Sequence, residues 1–361
     1  KEKLSVQMPS YMIPSYFIQL EKMPLTSNGK IDRKALPLPD GNIQTGVKYI
    51  APRTSIELKL AEIWKGILVL KQIGIHDNFF HIGGDSLKVL KLIQSIKEHM
   101  DAEISFQTVF QAQTIELLAI NLMNGKIKLE DETKFTPLTY HGNTNVFCFP
   151  SRIGIGMTYI EMAKLLERDC RIYTTDFIDN YTNYDDMICE YVENIIQIQE
   201  QGPYVFLGYS GGGNIAFEVA KEMENKGLEV SDIIMLDTTL WNAEVNERVR
   251  EMFAEVQHDY TNVPEWMTTK YIQNKINKFT MYLNQLTNTG VVNSNIHNVV
   301  IDNSMSKFKK EWVHATSKCY KEYEGYGTHD EILEPEFIDE NIGIVKGILK
   351  NIKHKSAMNL V

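Results

Sequence analysis

A serine stands in Gly208-Tyr209-Ser210-Gly211-Gly212-Gly213, between an apolar run, Tyr204 to Leu207, and a helical one, Asn214 to Met223. Strand, sharp turn and helix in that order make a nucleophile elbow, where small residues let the backbone bend tightly and lift the hydroxyl clear of the sheet. The chemistry implied is covalent acyl transfer. A serine hydroxyl is a weak nucleophile at its ordinary pKa, so it needs a histidine as base and a carboxylate to orient that base. In this fold the order along the chain is Ser, acid, His. Of the histidines beyond the elbow, only His329 sits in a glycine-rich turn near the end of the fold, Gly325-Tyr326-Gly327-Thr328-His329-Asp330. Two acids qualify. Asp237 ends the run Ile233 to Leu236 and Asp302 ends the next, Val299 to Ile301, and position alone does not choose between them. Either also suits a turn or a helix cap. The oxyanion needs two convergent donors fixed in advance. The Gly211 N–H supplies one, and the turn Pro150-Ser151-Arg152 after the first strand is the natural place for the second.

A second serine stands in Phe79-Phe80-His81-Ile82-Gly83-Gly84-Asp85-Ser86-Leu87. A serine at a helix start is by default an N-cap. Here an aromatic pair anchors the loop, and two glycines leave the hydroxyl open to a modifying enzyme.

The elements that hold these residues fall into three segments. Lys1 to about Pro39 is short and proline-rich, with one apolar patch at Tyr16-Phe17-Ile18, and cannot form a core alone. Residues 50–125 have helical periodicity at Ile56, Leu60, Ile63, Trp64, Ile67 and Leu68, at Leu87, Leu90, Ile93 and Ile96, and at Ile115, Leu118 and Met123. That predicts a small helix bundle, its second helix starting at Asp85-Ser86 and its last capped by Thr114. Residues 126–136 are polar and aperiodic, which predicts a linker. The rest, 137–361, alternates strand-like runs with helical stretches, the pattern of a parallel sheet wrapped by helices. A strandless insertion at about 240–286 predicts a lid.

With 361 residues, 43% of them hydrophobic, the chain can bury real cores in two or three domains. A net charge of −10 with no basic run argues against nucleic acid as a partner. Cys148, Cys170, Cys189 and Cys319 lack metal-ligand spacing, so no metal site is expected and reduced, cytoplasmic thiols are the default. No apolar stretch reaches the length of a membrane span. The first residue is not Met, from which a piece of a longer polypeptide is expected.

The Gly83-Gly84-Asp85-Ser86 segment resembles the peptidyl carrier domains of non-ribosomal peptide synthetases, with Ile82 where Leu is usual. The resemblance extends over the whole chain. Leu25-Thr26-Ser27-Asn28-Gly29-Lys30-Ile31-Asp32-Arg33 looks like the last motif of an adenylation domain, Lys30 matching its substrate-contacting lysine; the body of that domain is absent, so adenylation is not expected. The third segment resembles the thioesterase domains of the same synthetases. The family implies a covalent 4'-phosphopantetheine arm on Ser86, Ser210 as nucleophile, His329 as base, Asp237 as the acid, and the N–H groups of Gly211 and Arg152 as oxyanion donors. Gly211 departs from the family, which usually has Ala or a larger residue there. The implied fold is a four-helix carrier bundle at 50–125, behind an adenylation-domain tail at 1–40 and followed by an α/β-hydrolase with a helical lid. The implied activity is release of a finished peptide by macrocyclisation or hydrolysis. A phosphopantetheinyl transferase and upstream condensation and adenylation domains would be the partners. Two rivals fit parts of the sequence. An esterase fused to a helical targeting module would need no arm on Ser86, and a non-catalytic binding protein on a hydrolase scaffold would need no triad.

Overall fold

The computed structural model describes residues 20, 22–26, 31–32, 35–36, 48–84, 86–102, 104, 106–123, 134–181, 183–255, 270–302 and 305–358. The Tyr16–Ile18 patch, Lys30, Asp85, most of the expected linker and residues 256–269 of the expected lid lie outside these. The chain divides into two compact units, Lys1–Asp131 and Glu132–Val361.

In the first unit, helix α1 (Ser55–Leu68) starts on a capping box: Glu57 N–H donates to Thr54 Oγ1 at 3.1 Å and Thr54 N–H to Glu57 Oε2 at 3.1 Å. Glu57 is buried, and the hydrogen bond from Arg53 is the first of the interactions that hold its carboxyl low. Arg53 also reaches Glu116, tying the start of α1 to the last helix. Helices α2 (Ser86–Met100), α3 (Phe106–Gln111) and α4 (Ile115–Met123) complete the bundle among the described residues. Leu60, Trp64, Leu68, Leu90, Ile93, Ile96, Ile115 and Leu118 are all buried, as their spacing predicts. Ile56, Ile63 and Ile67 are half-buried, and Met123, which closes α4, is exposed. Thr114 caps α4 by accepting from Leu117 N–H at 3.3 Å. Ahead of the first unit's helices, an antiparallel bridge pairs Leu25 with Ile31.

The second unit is built on strands β1 (Thr136–Pro137), β2 (Asn145–Phe149), β3 (Arg171–Thr174), β4 (Tyr204–Tyr209), β5 (Val230–Leu236), β6 (Asn295–Val300) and β7 (Tyr320–Glu324). They form one sheet in the order β1-β3-β2-β4-β5-β6-β7. All neighbours are parallel except β1 on β3, so the sheet is mixed rather than purely parallel. Phe135 and Thr136, expected in the linker, instead belong to this unit: Phe135 is in its core and Thr136 opens β1.

Alternation along the central strands feeds two cores. Phe147, Phe149, Phe206, Ile233 and Met235 pack on one face with α6 (Tyr184–Ile198) and α7 (Gly211–Asn225). Val146, Cys148, Val205, Leu207, Ile234 and Leu236 pack on the other with α5 (Ile160–Leu166) and α11 (Ile338–Met358). Strands buried on both faces read as continuous apolar runs, which makes them visible in the sequence. The strand order reverses between β2 and β4, with β3 beyond β2 on one side and β5 beyond β4 on the other. In an open parallel sheet the crevice at the carboxyl ends of such strands is where ligands bind. Between β5 and β6 stand α8 (Ala243–Glu255) and α9 (Lys270–Gln285), with the short α10 (Ser306–Lys310) following β6.

Candidate active site

Ser210 occupies the turn from β4 into α7 with φ 53° and ψ −126°, a strained conformation for a residue with a side chain. The glycines around it explain how the turn closes. A Cβ on Gly208 would lie 2.2 Å from Gly212 C and Gly213 N, and one on Gly213 would lie 2.2 Å from Thr238 Oγ1. Strand and helix therefore meet backbone to backbone, and Thr238 locks the elbow by donating its hydroxyl to Ser210 O at 2.9 Å.

Ser210 Oγ is 3.0 Å from His329 Nε2, and His329 Nδ1 is 2.7 Å from Asp237 Oδ2. His329 comes from the loop after β7, which Tyr209 steadies by donating its hydroxyl to His329 O at 2.7 Å. Asp237 follows β5 directly, with φ 49°. Its carboxylate is buried, and Oδ1 accepts from Ile301 N–H at 2.7 Å and faces Lys309 Nζ at 2.7 Å. Burial pushes this carboxyl up. The hydrogen bonds from His329 and Lys309 and the Lys309 charge overcome that and hold it below its ordinary value. Asp302, the other candidate acid, is exposed and accepts the Ser306 hydroxyl at 2.6 Å.

The structure thus brings Ser210, His329 and Asp237 into one relay and leaves Asp302 outside it. Gly211 opens α7 directly after the serine. The turn holding Arg152 follows β2, and its neighbours reach the same helix end: a Cβ on Gly212 would meet Phe149 O at 2.4 Å and Pro150 O at 2.9 Å. Sequence reasoning misses Lys309. It is one of three lysines in Lys307-Phe308-Lys309-Lys310, and nothing in that run marks it as the buried one.

In the first unit Ser86 is the first residue of α2, reached through a loop laid over Phe79. A Cβ on Gly84 would lie 2.2 Å from the Phe79 ring, and Gly83 has φ 106°. Both positions therefore require glycine. Asn78 braces the loop by accepting from the N–H groups of Phe80 and His81 and donating to Gln113. These residues fit a phosphodiester-linked arm, since the N–H groups at the start of a fifteen-residue helix favour an anion.

A helical bundle with a serine at such a helix start, followed by an α/β-hydrolase with a Ser–His–Asp relay, is the layout of a carrier domain joined to an acyl-transferring hydrolase. Residues 59–122 match the phosphopantetheine attachment site family, and residues 144–276 match the thioesterase domain family. The chain is 43% identical to a mycosubtilin synthase of Bacillus subtilis over its whole length, and 32% identical to a surfactin synthase of Bacillus subtilis (strain 168) over 96% of it. It spans only 14% and 27% of those two proteins. A crystal structure of a four-domain nonribosomal peptide synthetase, bound to AMP and glycine, shares the fold at a TM-score of 0.50 and 22% identity, over 98% of this chain and 30% of that one. The chain is a carrier and thioesterase segment of the non-ribosomal peptide synthetase family. Its cofactor is covalent 4'-phosphopantetheine. No described helix is long and apolar enough to cross a membrane.

Proposed function

We propose that this chain holds a peptide at Ser86 and releases it through Ser210. The observation that carries the reading is the Ser210–His329–Asp237 relay, at 3.0 and 2.7 Å, in a chain whose other unit matches a phosphopantetheine attachment domain. When bound, the arm supplies a thiol that presents the peptide as a thioester. Ser210 Oγ attacks the thioester carbonyl while His329 Nε2 takes its proton. The arm's thiol would leave with the proton that His329 returns to it as the C–S bond breaks, and Ser210 would keep the peptide as an ester. The N–H groups of Gly211 and Arg152 stabilise the oxyanion. Asp237 holds the imidazole in the tautomer that leaves Nε2 free to accept. An amine or hydroxyl of the peptide, or water, then attacks the ester with His329 again as base. The product is a macrocycle in the first case and a linear acid in the second.

A phosphopantetheinyl transferase installs the arm on Ser86, and upstream condensation and adenylation domains deliver the peptide. The work is placed in the cytoplasm. The domain boundaries that go with this reading are an adenylation-domain tail at 1–40, a carrier domain at 50–125, a linker ending before Phe135, and a thioesterase domain with its lid at about 240–286. A free-standing esterase would have no use for a modified Ser86. Incubation with coenzyme A and a phosphopantetheinyl transferase, read by intact mass, tests the arm: the wild-type chain gains the mass and Ser86→Ala does not. A gain that persists in Ser86→Ala refutes the carrier role.

A further inference from the structure

Lys309 is almost wholly enclosed, with its side chain 1% exposed, and its ammonium lies against the one carboxylate of the relay. A buried cation is costly unless a partner repays it, and a Met would fill the same space without that cost. Its surroundings are specific. Nζ donates to Ile301 O at 2.8 Å and sits 2.7 Å from Asp237 Oδ1, while His329 occupies the other oxygen. The helix bearing it is anchored on both sides, since Leu240 N–H donates to Phe308 O and the Tyr320 hydroxyl donates to Lys309 O.

We propose that Lys309 is a positioning residue for acyl transfer at Ser210. Its ammonium fixes the Asp237 carboxylate and offsets part of the negative charge that this carboxylate presents to His329. Two consequences follow from one contact. The carboxylate cannot rotate, because Oδ1 is held by Lys309 and the Ile301 N–H while Oδ2 is left for His329. The negative charge that Asp237 presents to His329 is also smaller than that of a lone carboxylate, so a change at Lys309 should be read in the pH profile of Ser210 activation as well as in its rate. Other charged groups near the histidine loop are Asp330 and Glu334, which with Arg152 and Asp237 act on the Tyr209 hydroxyl. Lys309 differs from these in bearing directly on Asp237 Oδ1.

The inference rests on Ser210 being the nucleophile, and the test separates the two. An alkyl fluorophosphonate reports nucleophile activation without knowledge of the peptide: Ser210 Oγ bonds to phosphorus, the P–F bond breaks, fluoride leaves and the proton passes to His329. Its second-order rate constant would be measured by intact mass from pH 5 to 9 for the full wild-type chain, Lys309→Met and Lys309→Gln, with Ser210→Ala as control. Labelling that persists in Ser210→Ala defeats the nucleophile reading itself. Given labelling that depends on Ser210, the acid limb should move to higher pH by roughly one unit in both Lys309 variants. The plateau rate should fall about tenfold in Lys309→Met and less in Lys309→Gln, which keeps a donor for Asp237. A lysine that only supports the fold would lower thermal stability and leave the limb in place. Should Lys309→Met fail to fold, Lys309→Gln decides alone. A limb within about 0.2 pH units of wild type in Lys309→Gln overturns the proposal.

Discussion

Asp237 illustrates how a buried acid is kept ionised. Burial raises its carboxyl, and the hydrogen bonds and charge from His329 and Lys309 outweigh that and set it below the usual range. A carboxyl lowered in the folded state adds stability that is fully present above its unfolded value, about pH 4, and is lost as pH falls toward the lower folded value. Thermal melts between pH 6 and pH 3 should therefore fall more steeply for the wild type than for Asp237→Asn; parallel curves would show that the carboxylate contributes nothing to acid stability. For activity, Asp237→Asn should lower kcat by about 10³ to 10⁴ by leaving the imidazole in the wrong tautomer. Asp302→Asn, which can still accept the Ser306 hydroxyl through its amide oxygen, should cost far less. Steady-state release of a peptidyl thioester compares them, and the reverse ranking would move the acid to Asp302. At this level the sequence is informative about Ser210 and His329, because glycines mark tight turns. It is silent on Lys309, because a lysine's burial is set by residues distant in the chain. Spacing alone leaves Asp237 and Asp302 unresolved because both simply follow a strand.

Among the elements, α9 meets the elbow where a side chain is missing. A Cβ on Gly211 would lie 2.7 Å from Phe279 Cε1 and 3.0 Å from its Cζ, and Phe279 is fully buried beside Phe177 and Tyr282. The space that a side chain at this position would need is filled by an aromatic ring from α9. Gly211→Ala should therefore destabilise the second unit by about 1–3 kcal/mol through overpacking. Its effect on kcat should be small, because the Gly211 N–H survives the substitution. Adding Phe279→Leu should recover part of the loss, a coupling that denaturant titrations of the single and double variants measure. Strictly additive losses would show that the contact does not couple them. Of the strands legible in the sequence, β2 to β6, the central β2, β4 and β5 carry nearly continuous apolar runs because helices cover both faces. The two that are not legible sit at the sheet edges. β7 reads Tyr-Lys-Glu-Tyr-Glu and is largely solvent-facing, and β1 is two residues long, too short for any periodicity. Phe135 reads as linker because a single aromatic in a polar stretch has no pattern to place it.

For the whole molecule, the proposed function requires an acyl group to travel from Ser86 to Ser210. Both serines belong to one chain, so their encounter is intramolecular and runs at an effective concentration of order millimolar, well above the micromolar level of a separate partner. Release from the wild-type chain should be first order and independent of protein concentration. The most direct measurement loads a peptide on Ser86 of a Ser210→Ala chain, mixes it at micromolar concentration with a Ser86→Ala chain, and compares product formation with that of the loaded wild type. The loaded Ser210→Ala chain alone should release nothing. Release in the mixture should be slow and rise in proportion to the added chain, whereas the wild type should release fast and independently of concentration. Release from Ser210→Ala alone, or release in the mixture as fast as in the wild type, would contradict transfer from Ser86 to Ser210 within one chain.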